Sequence, residues 1–449
     1  MPPKASFARL LAYTVMLSLG PGSLALSRAA VDVGVVVTFL ATMFTGLALA
    51  WSMLAFIRVK DALDPIRKIV TYQDLGSQFA SSGRAVAEAG VVGFQFLVLC
   101  VYAVLIGQII GVYSLSNGIW LALAFVPLCV ACCVQHLRDL GAVAQLTAVS
   151  YVALWLATLT YCAARLFRGS SVGARAHNTS VLPTAGWTKP VHLYETLLYA
   201  FEGLPAALPQ VVDTLVDRTR AADLVSRSVV IVTAVYVVTE YAGLFAFRRP
   251  RASLTYNLLD TLGEDALLPM SVNLVLVLTV FLKFPLQLFP MISILERKLG
   301  IGPGGQLDDD DTDDDLDDNA HKEKKEQEPL LPNSAAGRSR SAVFVDARDS
   351  GECLRVVLLR STVVAATLLV ALLVDDLGFL IQVAGAVFAP LLAFILPLTA
   401  ELVLIDTGDI RRTHPERLVS AALLVVATVL AILSAVAIVY DAVVTDAAR

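Results

Sequence analysis

Charge is scarce in this sequence. Across 449 residues only 16% are Asp, Glu, Lys or Arg, against 57% hydrophobic, and the mean hydropathy is +0.72. A water-soluble chain of this length carries roughly a quarter of its residues as charges, so that class is excluded. With a formal net charge of −5, no nucleic-acid partner is expected either. Cysteine is also sparse, and four of the six, Cys100, Cys129, Cys132 and Cys133, fall within hydrophobic runs. Cys162 lies near the end of another run and Cys353 on a flank, which leaves no pair for a disulfide framework. Cys132 and Cys133 are adjacent within an apolar run and read as buried small hydrophobes, so no metal or cofactor is expected. No nucleophile and base recur together and no ring-forming filter motif occurs, which argues against an enzyme and against a channel.

What the chain does have is long apolar runs. Roughly 20 residues are needed to cross a hydrocarbon core of about 30 Å. Eleven runs qualify, near 7–29, 33–57, 86–113, 118–135, 143–167, 192–212, 223–247, 267–292, 354–374, 377–404 and 418–441. This is an all-α polytopic membrane protein whose first partner is the lipid bilayer. The first run lacks the short core and small-residue cleavage site of a signal peptide and is expected to stay in the protein. Lys and Arg are in excess in the loops on the amino-terminal side, at Arg58, Lys60, Arg67, Lys68, Arg218, Arg220, Arg227, Arg411, Arg412 and Arg417, which predicts a cytosolic amino terminus. Clusters at Arg165, Arg168 and Arg175 and at Arg248, Arg249 and Arg251 run against that bias. The sequon Asn178-Thr179-Ser180 falls in a loop that this topology places in the lumen or outside, where Asn178 is a glycosylation candidate.

Between residues 300 and 350 the composition changes to Gly302-Pro303-Gly304-Gly305, an acidic run from Asp308 to Asp318, and His321-Lys322-Glu323-Lys324-Lys325. Such a segment buries too little apolar surface to order itself and reads as a disordered cytosolic linker. The acidic run has no glycine-turned calcium loop, so a solvated tail is the reading. Within the linker, Glu326-Gln327-Glu328-Pro329-Leu330-Leu331 has the form of an acidic dileucine signal, with Glu326, Leu330 and Leu331 as its elements. It resembles signals read by clathrin adaptor proteins that direct proteins to lysosomes or vacuoles; an ordinary Leu-Leu before Pro332 is the alternative.

Two of the apolar runs are interrupted at matching places, by Gly20-Pro21-Gly22-Ser23-Leu24 and by Phe201-Glu202-Gly203-Leu204-Pro205. Backbone that leaves the helix inside a bilayer needs partners for its freed N–H and C=O groups, and in transporters a bound solute or ion supplies them. Each break opens a unit of five runs, and five crossings per unit put the second unit into the membrane inverted relative to the first. The domain reading follows: a short amino-terminal segment (1–6), a first unit (7–168), an external loop (169–191), a second unit (192–404) holding the 300–350 linker, and a last helix with the carboxyl terminus (405–449).

The stretch Gly20-Pro21-Gly22-Ser23-Leu24-Ala25-Leu26-Ser27-Arg28-Ala29, with Gly34 beyond it, resembles the first-helix signature of the amino acid/auxin permease family of the APC superfamily, except that Ser27 stands where the family has proline. Ala200-Phe201-Glu202-Gly203 with Leu208-Pro209 is similar to the sixth helix of its proton-coupled and vacuolar amino acid transporters. Thr71-Tyr72-Gln73-Asp74-Leu75-Gly76, Phe284-Pro285-Leu286-Gln287-Leu288, and Gly385-Ala386 with Pro397 add to the likeness. The resemblance implies a LeuT-like bundle of five plus five inverted helices with an eleventh outside, and a secondary active amino acid transporter working by alternating access. It also implies a vacuolar, lysosomal or other internal membrane, with the plasma membrane as the alternative.

Substrate-binding roles follow from that arrangement. Unwound backbone at Gly20, Pro21 and Gly22 offers N–H groups and a positive half-helix end to an α-carboxylate, with Ser23 adding a hydroxyl and Leu24 beside it. Carbonyls around Ala200, Phe201, Glu202 and Gly203 would accept from an α-amine, and Tyr102 and Phe201 would wall the cavity. Two charges inside the bilayer are candidates for coupling, because each costs roughly 2.5–3.5 kcal/mol or more unless paired or wet. Glu202 could carry a proton or fix the unwound backbone. Lys283 stands where sodium-coupled relatives hold their ion, so H⁺ rather than Na⁺ is the expected coupling ion; alternatively Lys283 pairs with an acid such as Glu240. Asp32, Glu88, Asp375, Asp376 and Glu401 are expected near helix ends, within reach of water. A rival reading is a transceptor that binds amino acids as a signal with little flux.

Overall fold

The computed structural model describes residues 7–20, 22–63, 71–79, 82–111, 117–132, 140–168, 186–201, 203–215, 217–246, 267–301, 350–374 and 376–447. Each of the eleven apolar runs coincides with a helix or with a helix interrupted in its middle. The first is α1 (Phe7–Ser18) and α2 (Gly22–Val33), and the sixth is α8 (Thr188–Ala200) and α9 (Gly203–Thr214). The rest are α3 (Val35–Leu63), α5 (Gly83–Gly111), α6 (Asn117–Cys132), α7 (Leu140–Arg168), α10 (Ala221–Ala246), α11 (Leu267–Lys298), α12 (Ser350–Leu373), α13 (Leu377–Thr407) and α14 (His414–Ala447). Eight of these are long and apolar enough to cross a membrane. One short helix, α4 (Tyr72–Phe79), lies between α3 and α5. Thr71 starts it with a reciprocal cap: its N–H and hydroxyl both donate to Asp74 Oδ2, and the Asp74 N–H donates to the Thr71 hydroxyl.

The broken helices sit inside the bundle. α2 packs against α8 and α10, α1 against α9, and α10 against α3. A second group forms around α11, which packs on α5 and α7, with α12 against α5 and α6. α13 contains two π-helical stretches, Ala384–Phe388 and Leu391–Ile395, and packs on α3 and on the peripheral α14. Only 17% of the most apolar window of α14 is buried, so its Leu, Val and Ile side chains form a surface suited to lipid. Since lipid is as apolar as those side chains, association of the inner helices rests on close packing and on polar contacts.

The polar contacts correct one expectation. Glu88 and Glu401 were expected within reach of water, but they are 4% and 0% exposed. Glu88 is ion-paired to Arg84, Arg297 and Lys298, and Glu401 to Arg58 and Arg412 with a further bond from Ser420. Basic residues from neighbouring helix ends close over them, which a linear reading of end positions does not reveal. Asp376 does lie at a helix end, where its Oδ1 accepts from the Phe379 N–H. Asp375 and the Asp32 side chain lie outside the described residues. Arg360, 2% exposed, pairs with Glu296 at 2.9 Å and donates to the Cys132 carbonyl.

Candidate functional site

The two helix breaks meet. Leu19 and Gly20 form the buried, non-helical link after α1, and Phe201 forms the turn after α8; Pro21 and Glu202, the other residues of the breaks, lie outside the described residues. A Cβ on Gly203 would stand 2.0 Å from the Leu17 carbonyl oxygen, so α9 crosses α1 at a distance that only glycine allows. Gly22 faces Tyr199 and the Ala200 backbone in the same way. The sequence-derived residues Gly20, Gly22, Ser23, Ala200, Phe201 and Gly203 therefore stand together although nearly 180 residues separate the breaks. Of Leu24 only the backbone is described, as part of α2.

A helix that stops in the interior leaves carbonyls without intrahelical partners and carries a partial negative charge at that end. Both interrupted ends are met here by side chains from other helices. The Lys283 ammonium of α11, 2% exposed, donates to the Leu17 carbonyl at 2.9 Å and to the Leu19 carbonyl at 3.4 Å. The Tyr236 hydroxyl of α10 lies 2.5 Å from the Ser18 carbonyl oxygen and also bonds to the Ala200 carbonyl, so one phenol joins the ends of α1 and α8. Having one proton, it shares that proton between the two acceptors. The Phe201 ring packs edge-on against Tyr236 with centroids 4.8 Å apart.

Around Gly20 the remaining groups are hydroxyls. Ser23 Oγ donates to the Gly20 carbonyl at 2.8 Å and lies 2.9 Å from the Tyr151 hydroxyl of α7. Lys283 Nζ is 3.2 Å, and the Tyr102 hydroxyl 4.0 Å, from where a Gly20 Cβ would be. Carbonyl, hydroxyl and ammonium groups from α1, α2, α5, α7 and α11 thus converge on one unwound residue. Phe201 faces the other way, into a small apolar cavity lined also by Leu49, Phe94, Leu198, Pro205 and Ala389. In this conformation the Ala200 carbonyl is taken by Tyr236 and the Phe201 carbonyl by the Leu204 N–H at 3.2 Å.

Lys283 and Glu240 do not form an ion pair. Glu240 of α10 instead accepts from the Thr42 hydroxyl of α3 at 3.1 Å. Ser27, in place of the family's proline, donates to the Thr239 carbonyl at 3.3 Å and ties α2 to α10. Asn178, Glu326, Leu330 and Leu331 lie outside the described residues. Sequence reasoning missed Tyr236, Tyr151 and Thr42. Each is an ordinary residue of an apolar helix, and only its position opposite a helix break or a buried acid gives it a role. Among the described residues no group of three or more His, Cys, Asp or Glu could hold a metal ion.

The model of a family described as transmembrane amino acid transporter protein matches residues 3–443. No curated protein sequence matches this one. Among solved structures, that of MhsT in complex with L-phenylalanine is similar over 98% of this chain and 100% of its own, with a TM-score of 0.58 and 12% identity. The likeness shows that the fold is that of LeuT-type transporters. A manganese transporter of Eremococcus coleocola is similar over 95% of this chain and 85% of its own, with a TM-score of 0.48 and 13% identity.

Proposed function

This chain belongs to the transmembrane amino acid transporter protein family, an integral membrane family, and on that basis we propose that it is a secondary active amino acid transporter driven by protons rather than sodium. It crosses the membrane eleven times from a cytosolic amino terminus and alternates between outward- and inward-open states. The observation that carries the choice of ion is the occupancy of the interrupted helix ends. A monovalent cation bound between broken helices is held by such freed carbonyls, and here Lys283 supplies a fixed ammonium to Leu17 and Leu19 while Tyr236 supplies a hydroxyl to Ser18 and Ala200.

The cycle follows from removing that charge. When water reaches Lys283, an N–H bond breaks, the electron pair stays on Nζ and the proton leaves to solvent. The neutral amine that remains holds the negative end of α1 only through weaker, uncharged hydrogen bonds, so α1 is freer to swing. Substrate amino acid favours the closed state by binding it more tightly than the open ones. The amino acid's carboxylate lies at the amino-terminal end of α2, next to Gly20, Gly22 and Ser23, and its amine at the Ala200 end of α8, where it takes over carbonyls now held by side chains.

The deciding experiment is uptake of a mixed set of radiolabelled amino acids into proteoliposomes, with pH and sodium gradients imposed separately. Accumulation driven by the pH gradient, and abolished in Lys283→Ala or Glu202→Gln, is the expected result. Sodium-driven accumulation would remove the role given to Lys283. Binding without flux under either gradient would leave the fold but point to a sensor.

A further inference from the structure

Glu240 is a carboxyl group that the coupling scheme above does not use. It is fully buried, at 0% exposure, in the carboxyl-terminal third of α10. Its Oε2 accepts from the Thr42 hydroxyl, while its Oε1 is sealed from solvent and has no hydrogen-bond partner. The other described acids with comparable burial are differently placed: Glu88, Glu296 and Glu401 are ion-paired to arginine or lysine, and Glu195 is bonded to His192. One neutral hydroxyl cannot offset the desolvation of a full negative charge in an apolar medium, and a group in that position binds a proton instead.

Among the described residues no charged group pairs with Glu240. α3 carries Thr38 and Thr42 at this level and no charged residue anywhere from 35 to 57. α7 carries Trp155, whose indole N–H donates to the Thr239 hydroxyl, and no charged residue from 140 to 164. α1 carries Tyr13 and, at its far end, Arg9; α2 carries Arg28 and Asp32; the side chains of Arg9, Arg28 and Asp32 lie outside the described residues. On α10 itself the titratable neighbours are Tyr236, bonded to the interrupted helix ends, and Tyr241, whose hydroxyl donates to the Val35 carbonyl. Residues 239 to 241 therefore bind α2 through Ser27, α7 through Trp155 and α3 through Thr42 and Val35. Parting α10 from these helices would break the Thr42 bond and uncover the Glu240 carboxyl.

We propose that Glu240 is a second proton-binding site, separate from Lys283: the acid is neutral while α2, α3 and α10 are closed together, and it ionises when they part. In the neutral form Oε2 is the carbonyl oxygen that accepts from Thr42 and Oε1 carries the proton. On opening, the Oε1–H bond breaks, its electron pair stays on the carboxylate and the proton passes to the entering water. Neutrality in the closed state is independent of transport. Only the contribution of this proton to the driving force rests on the proposed transport reading.

Infrared spectroscopy of the purified full-length protein tests the first part. At neutral pH the wild type shows the C=O stretching band of a dry protonated carboxylic acid, and the band is lost in Glu240→Gln. In Thr42→Val it moves to higher wavenumber, since the acid carbonyl loses its hydrogen bond. A spectrum in which neither substitution changes an acid band overturns the proposal. If Glu240→Gln does not fold, the Thr42→Val shift decides alone, and an unmoved band there is fatal. In proteoliposomes, Glu240→Gln is expected to keep amino acid exchange at equal pH and to lose part of the accumulation driven by a pH gradient. Accumulation equal to wild type would remove Glu240 from coupling, whatever the outcome for Lys283.

Discussion

The ammonium nitrogen of Lys283 stands 2.9 Å from the carbonyl oxygen of Leu17, 266 positions away in the chain. The contact puts a positive charge from α11 at the negative end of α1, where a half-helix dipole stabilises a cation most. Removing it in Lys283→Met leaves the Leu17 and Leu19 carbonyls without that donor, at a cost of about 1–3 kcal/mol for each buried group left unmet. A lower unfolding temperature and loss of pH-driven uptake should appear together. Uptake that still follows the pH gradient in this variant would separate Lys283 from coupling.

Tyr236→Phe removes one oxygen and keeps the ring that packs on Phe201. The Ser18 and Ala200 carbonyls both lose their bridge. Stability should fall by about 1–3 kcal/mol, the cost of stranding buried acceptors, with little change in packing. Thermal unfolding in detergent measures this. An unchanged midpoint would mean that water or a bound ion replaces the hydroxyl, and adding sodium to the variant tells those two apart.

Two glycines should respond to alanine in opposite senses. At Gly203 the new methyl would stand 2.0 Å from the Leu17 carbonyl oxygen, and forcing α9 from α1 should cost about 1–3 kcal/mol and slow uptake. At Gly107, in α5, nothing lies within 4 Å of the new methyl, so Gly107→Ala should gain about 0.5–1 kcal/mol from helix propensity. Equal effects at both sites would show that the α1–α9 crossing is less tight than the geometry requires.

Arg360 and Glu296 form a buried pair, with side chains 3% and 6% exposed. Arg360→Leu strands a carboxylate and should destabilise by about 3–5 kcal/mol, whereas adding Glu296→Leu should restore much of the loss. A double-mutant cycle by chemical denaturation gives the coupling between them. Additive losses would place the stabilisation in the Arg360 bond to the Cys132 carbonyl instead.

Much of the fold was legible because membrane crossing requires unbroken apolar length, and that length is written consecutively. The eleven runs overlap described helices, eight of them long and apolar enough to cross a membrane, and the two interruptions fall between α1 and α2 and between α8 and α9. Gly20, Gly22 and Gly203 announced themselves, since glycine in an apolar run marks either a break or a close approach. Tyr236 and Tyr151 did not, because a tyrosine in a helix gives no sign of which face it lies on or what it faces. Glu88 and Glu401 misled for the same reason: proximity to a helix end along the chain does not tell whether a neighbouring helix covers that end.

The sequence by itself determined that the chain is a membrane protein, where its backbone leaves the helix, and which family it resembles, all of which depend on local composition and order. Tertiary structure decided which side chains answer the interrupted ends. Lys283 was a lone charge in an apolar run until α11 packed across the end of α1, and Glu240 an acid without a partner until α3 brought it a single hydroxyl. Partners for freed carbonyls and buried charges come from helices distant in the chain, and hydrogen bonds form only over about 3 Å, so that assignment exists only once the helices are packed.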